Sequence, residues 1–169
     1  MSLRILTSAD LEQVITMPDA ISLMKEAFTQ LASGNVTMPQ RSKIPVTKHQ
    51  AVTLCMPAYL AGTEQLGVKI VSVFPKNTEL QLPSIYGSVL LLNAQTGQVE
   101  AIMDGSFITA LRTGAISGLA SDLLAREDAS SLGIIGSGVQ AQTQLEAVCC
   151  VRDINKSGSI RGILPMPKN

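Results

Sequence analysis

Aromatic side chains are scarce in this sequence, which has no tryptophan, two tyrosines and three phenylalanines among 169 residues. The interior must therefore be built from aliphatic side chains. Long apolar runs are also missing, and none reaches the roughly 18 residues that a membrane-spanning helix needs. The N-terminus contains acidic residues and lacks the apolar segment of a secretory signal. A composition of 46% hydrophobic and 15% charged residues predicts a globular protein.

An excess of one charge sign is likewise missing, since 13 basic residues balance 13 acidic ones. This balance argues against a nucleic-acid-binding protein, and the lack of like-charge runs argues against a membrane-surface protein. The three cysteines, Cys55, Cys149 and Cys150, lack the spacing of a metal site, which predicts reduced, buried thiols in a cytoplasmic protein. The single histidine, His49, lies in a polar stretch and is interpreted as a solvated loop residue, so no metal site is predicted.

Hydrophobic periodicity and turn residues divide the chain into helices and strands. Ser8, or Thr7 with Asp10, is positioned to cap a short first helix. A second helix starts near Pro18 and stops at Ser33-Gly34. A run of strands then predicts a largely antiparallel or mixed sheet. The predicted strands are Ser42–Val46, Ala51–Met56, Val68–Phe74, Ser88–Leu92 and Val99–Met103.

The second half of the chain changes to alternating helix and strand. A long helix from Phe107 to Leu124 is rich in small residues, which predicts close packing against another backbone. A strand, Leu132–Ile135, and a helix, Val139–Val151, then predict the opening of a βαβ unit. Between them, Gly136 and Gly138, with Ala141, match the dinucleotide-binding pattern G-x-G-x-x-G/A.

Each residue type of this glycine pattern has a physical purpose. Gly136 lets the chain turn off the strand, Gly138 lets the backbone approach a pyrophosphate, and Ala141 lets the helix pack on the strand. A purely structural glycine-rich bend is the alternative. An acid that binds ribose hydroxyls is expected about 20 residues later, but none follows Asp153. The segment from Leu132 to Asn169 is also shorter than a complete dinucleotide domain, so we expect the chain to end inside this fold.

Three basic residues lie in unusually apolar or small-residue surroundings: Arg41, Lys69 and Arg112. Lys69 interrupts a strand of valine and isoleucine, where it has either to reach water from a sheet edge or to meet an anion. Ordinary salt bridges would explain each of the three. An amino-acid substrate would also explain them, because its carboxylate is well matched by arginine and a nearby lysine can exchange protons.

Several motifs together resemble the ornithine cyclodeaminase/mu-crystallin family over about residues 3–154. They are Met38-Pro39-x-Arg41, Pro45-Val46-Thr47-Lys48-His49, Met56-Pro57-Ala58-Tyr59, Gly67-Val68-Lys69, Leu82-Pro83-Ser84, Met103-Asp104-Gly105, Ile108-Thr109-Ala110-x-Arg112-Thr113 and Gly136-Ser137-Gly138-Val139-Gln140-Ala141. The resemblance implies the fold class α/β. An α+β substrate-binding and dimerisation domain over residues 1–125 is followed by the start of a Rossmann-type dinucleotide-binding domain over residues 126–169.

The resemblance also implies roles for single residues. Arg41, Lys69 and Arg112 would bind substrate, with Lys69 as a candidate catalytic group. The implied cofactor-binding residues are Ser84, Arg112, Thr113, Gly136, Gly138, Val139 and Gln140. The family's catalytic aspartate has no counterpart in this sequence.

The implied function is NAD(P)-dependent hydride transfer on a small amino or imino acid, with NAD favoured over NADP and a homodimer as the assembly. In the member that gives the family its name, hydride removal from ornithine is followed by ring closure to proline and release of ammonia. Because the aspartate and half of the cofactor site are missing from the sequence, we expect a truncated and inactive form. The alternative is a non-catalytic binding or dimerisation module of the mu-crystallin kind.

Overall fold

The computed structural model describes residues 2–159, so the last ten residues of the expected cofactor domain lie outside the described part. Its helices are α1 (Ser8–Val14), α2 (Met17–Ala32), α3 (Gly105–Leu124) and α4 (Val139–Val151). Its strands are β1 (Arg4–Leu6), β2 (Val36–Thr37), β3 (Ser42–Val46), β4 (Ala51–Leu60), β5 (Gln65–Val73), β6 (Ile85–Asn93), β7 (Val99–Asp104), β8 (Ser131–Ile134) and β9 (Lys156–Ser159). Short 3₁₀ turns cover Thr47–His49 and Pro75–Leu80.

A seven-stranded sheet dominates the first two thirds of the chain, in the order β1-β7-β6-β5-β4-β2, with β3 also paired to β4. Strand β1 runs parallel to β7, and the remaining pairs are antiparallel. The predicted mixed sheet and the α/β fold class are confirmed. The sequence analysis missed β1, β2 and β9, which have only two to four residues each and carry little periodicity.

Strand β4 continues through Pro57 to Leu60, although the sequence predicted that it would end at Met56. Its neighbours explain the difference. Strand β3 pairs with β4 as far as Cys55, and β2 begins to pair at Tyr59. Pro57 therefore lies where β4 has β5 on one side and no strand on the other. The N–H that proline lacks is not needed there, so the strand is not interrupted.

A threonine caps the N-terminus of each of the first two helices. The Thr7 N–H donates to Asp10 Oδ2 at 2.8 Å, and the Asp10 N–H donates to Thr7 Oγ1 at 3.3 Å. This reciprocal pair is a capping box, which makes Thr7 the cap and Ser8 the first helical residue. Thr16 and Asp19 form the same arrangement at the start of α2. The hydroxyl and backbone N–H of each threonine hold the pKa of the partner carboxyl below its ordinary value.

Helix α3 begins two residues earlier than the sequence predicted. The carboxylate of Asp104 accepts a hydrogen bond of 2.7 Å from the Phe107 N–H, and this cap allows Gly105 to be the first helical residue. A Cβ atom on Gly105 would lie 2.6 Å from the carbonyl carbon of Gly87. Glycine at this position therefore lets the start of the helix lie directly against strand β6.

The chain divides into two compact units. The first contains Met1–Glu12 and Thr29–Phe107, and hence the seven-stranded sheet. The second contains Gln13–Phe28 and Ile108–Asn169, of which the structure describes the part up to Ser159. The expected domain boundary at residue 125 stays a prediction.

Close helix packing forms the core of the second unit. A Cβ atom on Gly114 of α3 would lie 2.5 Å from the carbonyl oxygen of Thr143 in α4, and one on Gly118 would lie 2.9 Å from that of Ala147. The predicted role of the small residues in α3 is thus confirmed. Strands β8 and β9 are parallel and flank α4 in sequence, which confirms the predicted βαβ opening.

Hydrogen bonds from Arg152 link the end of α3 to the residues that follow α4. Its guanidinium donates to the main-chain carbonyls of Asp122 and Ala125, each at 2.9 Å, and of Arg126 at 3.0 Å. The side chain is 10% exposed. The last carbonyls of a helix have no partner within the helix, so Arg152 satisfies groups that would otherwise be unpaired.

The cysteines are free thiols, but the prediction that they are buried is wrong. Cys55 and Cys149 are half-buried, and Cys150 is exposed near the end of α4. Desolvation raises the pKa of both Cys149 and Cys150, and the nearby Glu146 carboxylate adds to the effect on Cys150. Adjacent residues on a helix point in different directions, which explains why Cys149 is half-buried while its neighbour Cys150 is exposed.

Candidate functional site

The glycine turn connects β8 to α4 in the second unit. Gly136 has a φ of +106°, a backbone conformation that side chains with a Cβ rarely adopt. Gly138 is the N-cap of α4, and no side chain caps the helix there. A Cβ atom added to Gly138 would meet nothing within 4 Å. The backbone at the helix N-terminus is therefore open to a ligand.

A cleft of about 620 Å³ surrounds this turn. It is lined by Gly136, Gly138, Val139, Gln140 and Ala141, and its remaining lining is mostly apolar: Leu132, Gly133, Ile134, Ile135, Gln144 and Val148. The uncapped N–H groups and the partial positive charge of a helix N-terminus suit a phosphate group. An apolar lining and an open phosphate position together fit a dinucleotide, and the cleft contains all four glycine-turn residues that the resemblance assigned to the cofactor.

A second cleft, of about 690 Å³, lies in the first unit and is positively charged. Its basic lining residues are Arg41, Lys43 and Lys69, and its other lining residues are Met38, Pro39, Gln40, Leu54, Met56, Pro57 and Ala58. The structure thus brings together Arg41 and Lys69, which the sequence singled out from separate segments. We call this the basic cleft.

Strand register explains why the two lysines of the basic cleft share one face of the sheet. Lys43 on β3 lies opposite Leu54 on β4, and Lys69 on β5 lies opposite Met56 on β4. Leu54 and Met56 are two residues apart on one strand, so their side chains point to the same face. Lys43 and Lys69 therefore emerge on that face as well.

Lys69 lies in an interior strand, because β5 pairs with β4 on one side and β6 on the other. The possibility that it reaches water from a sheet edge is therefore excluded. Sequence reasoning missed Lys43 altogether, since both strands were predicted but their pairing and register were not. Among residues 2–159, no ion pair is found for Arg41 or Arg112, which removes the salt-bridge explanation for these two residues within that range.

Ser84 lies at the end of a loop that is tied back on itself. Its carbonyl oxygen accepts a hydrogen bond of 2.7 Å from the Phe74 N–H, and Asn77 Nδ2 donates to the neighbouring Pro83 carbonyl at 2.9 Å. Gln81, in the same loop, has a φ of +57°. The sequence did not reveal this hydrogen bond of Asn77, because it spans six residues with no motif.

Arg112 and Thr113 lie side by side on α3 in the second unit. Arg112 is exposed, and Thr113 is half-buried, with its hydroxyl donating to the Thr109 carbonyl at 2.6 Å. This bond fixes the Thr113 hydroxyl on the helix surface. The roles that the resemblance implies for Ser84, Arg112 and Thr113 stay predictions.

Two features are absent from residues 2–159. No group of three or more histidine, cysteine, aspartate or glutamate side chains is arranged to bind a metal ion. No helix in that range has both the length and the apolar character to cross a membrane.

Known proteins resemble this chain in both sequence and structure. Over 152 residues it is 37% identical to a Delta(1)-pyrroline-2-carboxylate reductase of Bacillus cereus, a match that covers 90% of this chain and 47% of the relative. The Thermococcus litoralis Delta(1)-pyrroline-2-carboxylate reductase, solved with NADH and L-proline, is 48% identical with a TM-score of 0.86 over 92% of this chain and 48% of that one. An archaeal alanine dehydrogenase dimer with bound NAD is 37% identical with the same TM-score, over 94% of this chain and 48% of that one.

The chain spans about half the length of the curated relatives it matches. The model of one protein family, described as the ornithine cyclodeaminase/mu-crystallin family, matches residues 1–161. That match covers both clefts and every candidate site residue. The chain therefore belongs to the ornithine cyclodeaminase/mu-crystallin family.

Proposed function

We propose that this chain is part of an NAD(P)-dependent oxidoreductase that acts on a small amino or imino acid, with NAD favoured over NADP. One observation carries the proposal: a chain of this family has both an uncapped helix N-terminus that fits a pyrophosphate and a cleft lined by cations that fits a carboxylate. The relatives support this reading, since those solved with cofactor contain NADH or NAD.

The glycine turn, in the second unit, is the proposed cofactor-binding element. Backbone N–H groups at Val139 and Gln140 would donate to phosphate oxygens, and Gly138 would leave room for them. The family resemblance also assigns the hydroxyl groups of Ser84, in the first unit, and of Thr113, in the second, to the cofactor. A bound nicotinamide dinucleotide would supply the hydride donor or acceptor, which no side chain of the protein can replace.

The basic cleft, in the first unit, is the proposed substrate-binding cleft. The planar guanidinium of Arg41, which lines this cleft, matches a carboxylate with two parallel hydrogen bonds. Arg112, on α3 in the second unit, carries the same group, and the family resemblance assigns it to substrate as well. Lys69 emerges from an interior strand into the same cleft as Arg41. Its Nζ is the group that we assign to hold or release a proton as an imine and an amine interconvert.

The remaining parts of the proposal concern assembly and activity. A homodimer in the cytoplasm, with no nucleic-acid or membrane partner, agrees with the balanced charge and with the dimer of the archaeal relative. Expressed as these 169 residues alone, the chain would carry half of a dinucleotide site and no family aspartate, so we expect cofactor binding without turnover. Binding without turnover in a longer protein that carries this sequence would favour the non-catalytic alternative instead.

A cofactor titration tests the proposal directly. A titration followed by NADH fluorescence or calorimetry should give saturable binding. Gly138→Ala should weaken that binding by about tenfold, because the new Cβ occupies the space reserved for the pyrophosphate. Gly158→Ala is the matched control: Gly158 also has open space around its Cβ position and does not line the cleft. Equal affinities of wild type and Gly138→Ala would refute the assignment.

A further inference from the structure

Two polar side chains, those of Gln140 and Gln144, lie among the eleven described residues that line the cleft around the glycine turn. Both belong to α4 and are four residues apart, so they share one face of the helix. The family resemblance assigns Gln140 to the cofactor and gives Gln144 no role. Gln144 therefore places a second amide on the same face, one helical turn further from the N-terminus.

Helix geometry directs the side chain of Gln144 toward the N-terminus of α4, because the Cα–Cβ bonds of an α-helix tilt in that direction. One helical turn, about 5.4 Å along the axis, separates Gln144 from Gln140, and a side chain as long as glutamine can span that distance. The Gln144 amide can therefore reach the first turn of α4. The backbone N–H groups that we assign to the pyrophosphate, those of Val139 and Gln140, lie in that turn.

A hydrogen bond from α3 orients the Gln144 amide. Ser117 Oγ donates to Gln144 Oε1 at 3.2 Å, and both side chains are partly buried. Gly114 and Gly118, which flank Ser117 on α3, both lie directly against the backbone of α4, so the two helices hold this bond in place. With Oε1 accepting from the serine, the N–H groups of Nε2 are the part of the amide that can donate to a ligand in the cleft.

We propose that Gln144 is a further cofactor-binding residue, whose Nε2 donates to a pyrophosphate oxygen of the dinucleotide, and that Ser117 is the positioning residue that orients it. This inference rests on the proposed function and adds a side-chain donor to the backbone donors of the glycine turn. A neutral amide suits a largely apolar lining, because burying it costs less than burying a charged side chain. Its hydrogen bond to a phosphate oxygen is strengthened by the charge of the phosphate.

Substitutions of similar size at Gln144 test the assignment, with the NADH affinity of the chain measured by calorimetry. Gln144→Met removes the donors at nearly constant length and should weaken binding by about tenfold, because a hydrogen bond to a charged group is lost. Gln144→Glu should weaken binding further, because its carboxylate repels the phosphates. The matched controls are Gln142→Met and Gln142→Glu, at an exposed residue of the same helix that does not line the cleft. Both should change the affinity much less.

Ser117→Ala provides the measurement that separates positioning from general support of the fold. It should weaken NADH binding by about threefold when Gln144 is present. In the Gln144→Met background it should have no further effect on the affinity, because no amide is left to orient. A merely structural role of Ser117 would instead give the same loss in both backgrounds.

Each outcome decides the inference. Equal affinities of wild type and Gln144→Met, or equal losses from the substitutions at Gln144 and Gln142, overturn the role of Gln144. The proposed function survives that result if Gly138→Ala still weakens NADH binding. Additive effects of Ser117→Ala and Gln144→Met overturn the positioning role of Ser117, and failure of wild type to bind NADH overturns both the inference and the proposed function. Thermal melts establish that the variants fold, and because Gln144→Glu keeps an acceptor for Ser117, it keeps the test decisive if Gln144→Met is unstable.

Discussion

Replacing Gly114 with alanine gives a direct test of the packing between α3 and α4. The new Cβ would lie 2.5 Å from the Thr143 carbonyl oxygen, 2.7 Å from its carbonyl carbon and 3.0 Å from its Cβ. Two of these three atoms belong to the backbone of α4, so a rotamer change cannot relieve the contact. One helix must retreat by roughly 1 Å to restore ordinary van der Waals distances.

Two opposing effects determine the sign of this substitution. Alanine is favoured over glycine in a helix interior by up to about 1 kcal/mol. Forcing a group into a tightly packed core costs about 1–3 kcal/mol and sometimes more. Since the obstruction is main chain, we expect the second effect to exceed the first. The net loss should be about 1–2 kcal/mol, which lowers Tm by about 2–8 °C for a chain of this size.

Circular dichroism melts and urea titrations of wild type, Gly114→Ala and Gly133→Ala provide the measurement. Gly133 is the matched control because a Cβ there would meet nothing within 4 Å and its φ is not in the left-handed region. It should be neutral or slightly stabilising. If Gly114→Ala melts at or above the wild-type temperature, the close approach of the two helices is not as described.

Three further predictions concern the capping carboxylate of Asp19, the guanidinium of Arg152 and the thiol of Cys150. Asp19→Asn should lower stability at pH 7. Because the folded-state pKa of Asp19 is lowered, its carboxylate contributes stability that is fully present above the ordinary pKa of 3.8. That stability is lost as pH falls through the folded-state pKa. Urea titrations from pH 7 to pH 3 should therefore show the difference from wild type shrinking in acid. Arg152→Lys should cost about 1–3 kcal/mol in urea unfolding, because carbonyls at the end of α3 lose charged donors, whereas Arg126→Lys, at an exposed ion pair, should change little. Cys150 should react with iodoacetamide more slowly than free cysteine at pH 8, because its pKa is raised. For the same reason, the rate of alkylation of Cys150 should still rise above pH 9. A rate equal to that of free cysteine would contradict the desolvation of the Cys150 thiol.

Local sequence patterns were sufficient for much of the fold. Helix α4 and strand β3 have the predicted boundaries, because glycine at a helix start and alternating side chains are local signals. The capping box of Thr7 and Asp10 is equally local, since both partners lie within four residues. Each of these features depends on residues that lie close together in the sequence, so a local pattern is enough to predict it.

Features that depend on distant segments could not be predicted in this way. Pro57 suggested the end of β4, and only the positions of β2 and β3 show why the strand continues. Lys43 drew no attention because its place beside Arg41 and Lys69 depends on the register of three strands. The carbonyls held by Arg152 lie 26 to 30 residues away along the chain, and no spacing rule links them.

The parallel pairing of β1 with β7 has a consequence for how the protein is made. Arg4 pairs with Ala101, so the outer edge of the sheet joins the beginning of the chain to a strand synthesised almost a hundred residues later. The hairpins from β4 to β7 close over short distances and can form as they leave the ribosome. Strand β1 must wait for β7, and contacts between segments so far apart in sequence are slow to form. We therefore expect β1 to join the sheet last, leaving the exposed backbone of β7 as the surface most open to chaperones, or to a strand of another molecule, during synthesis.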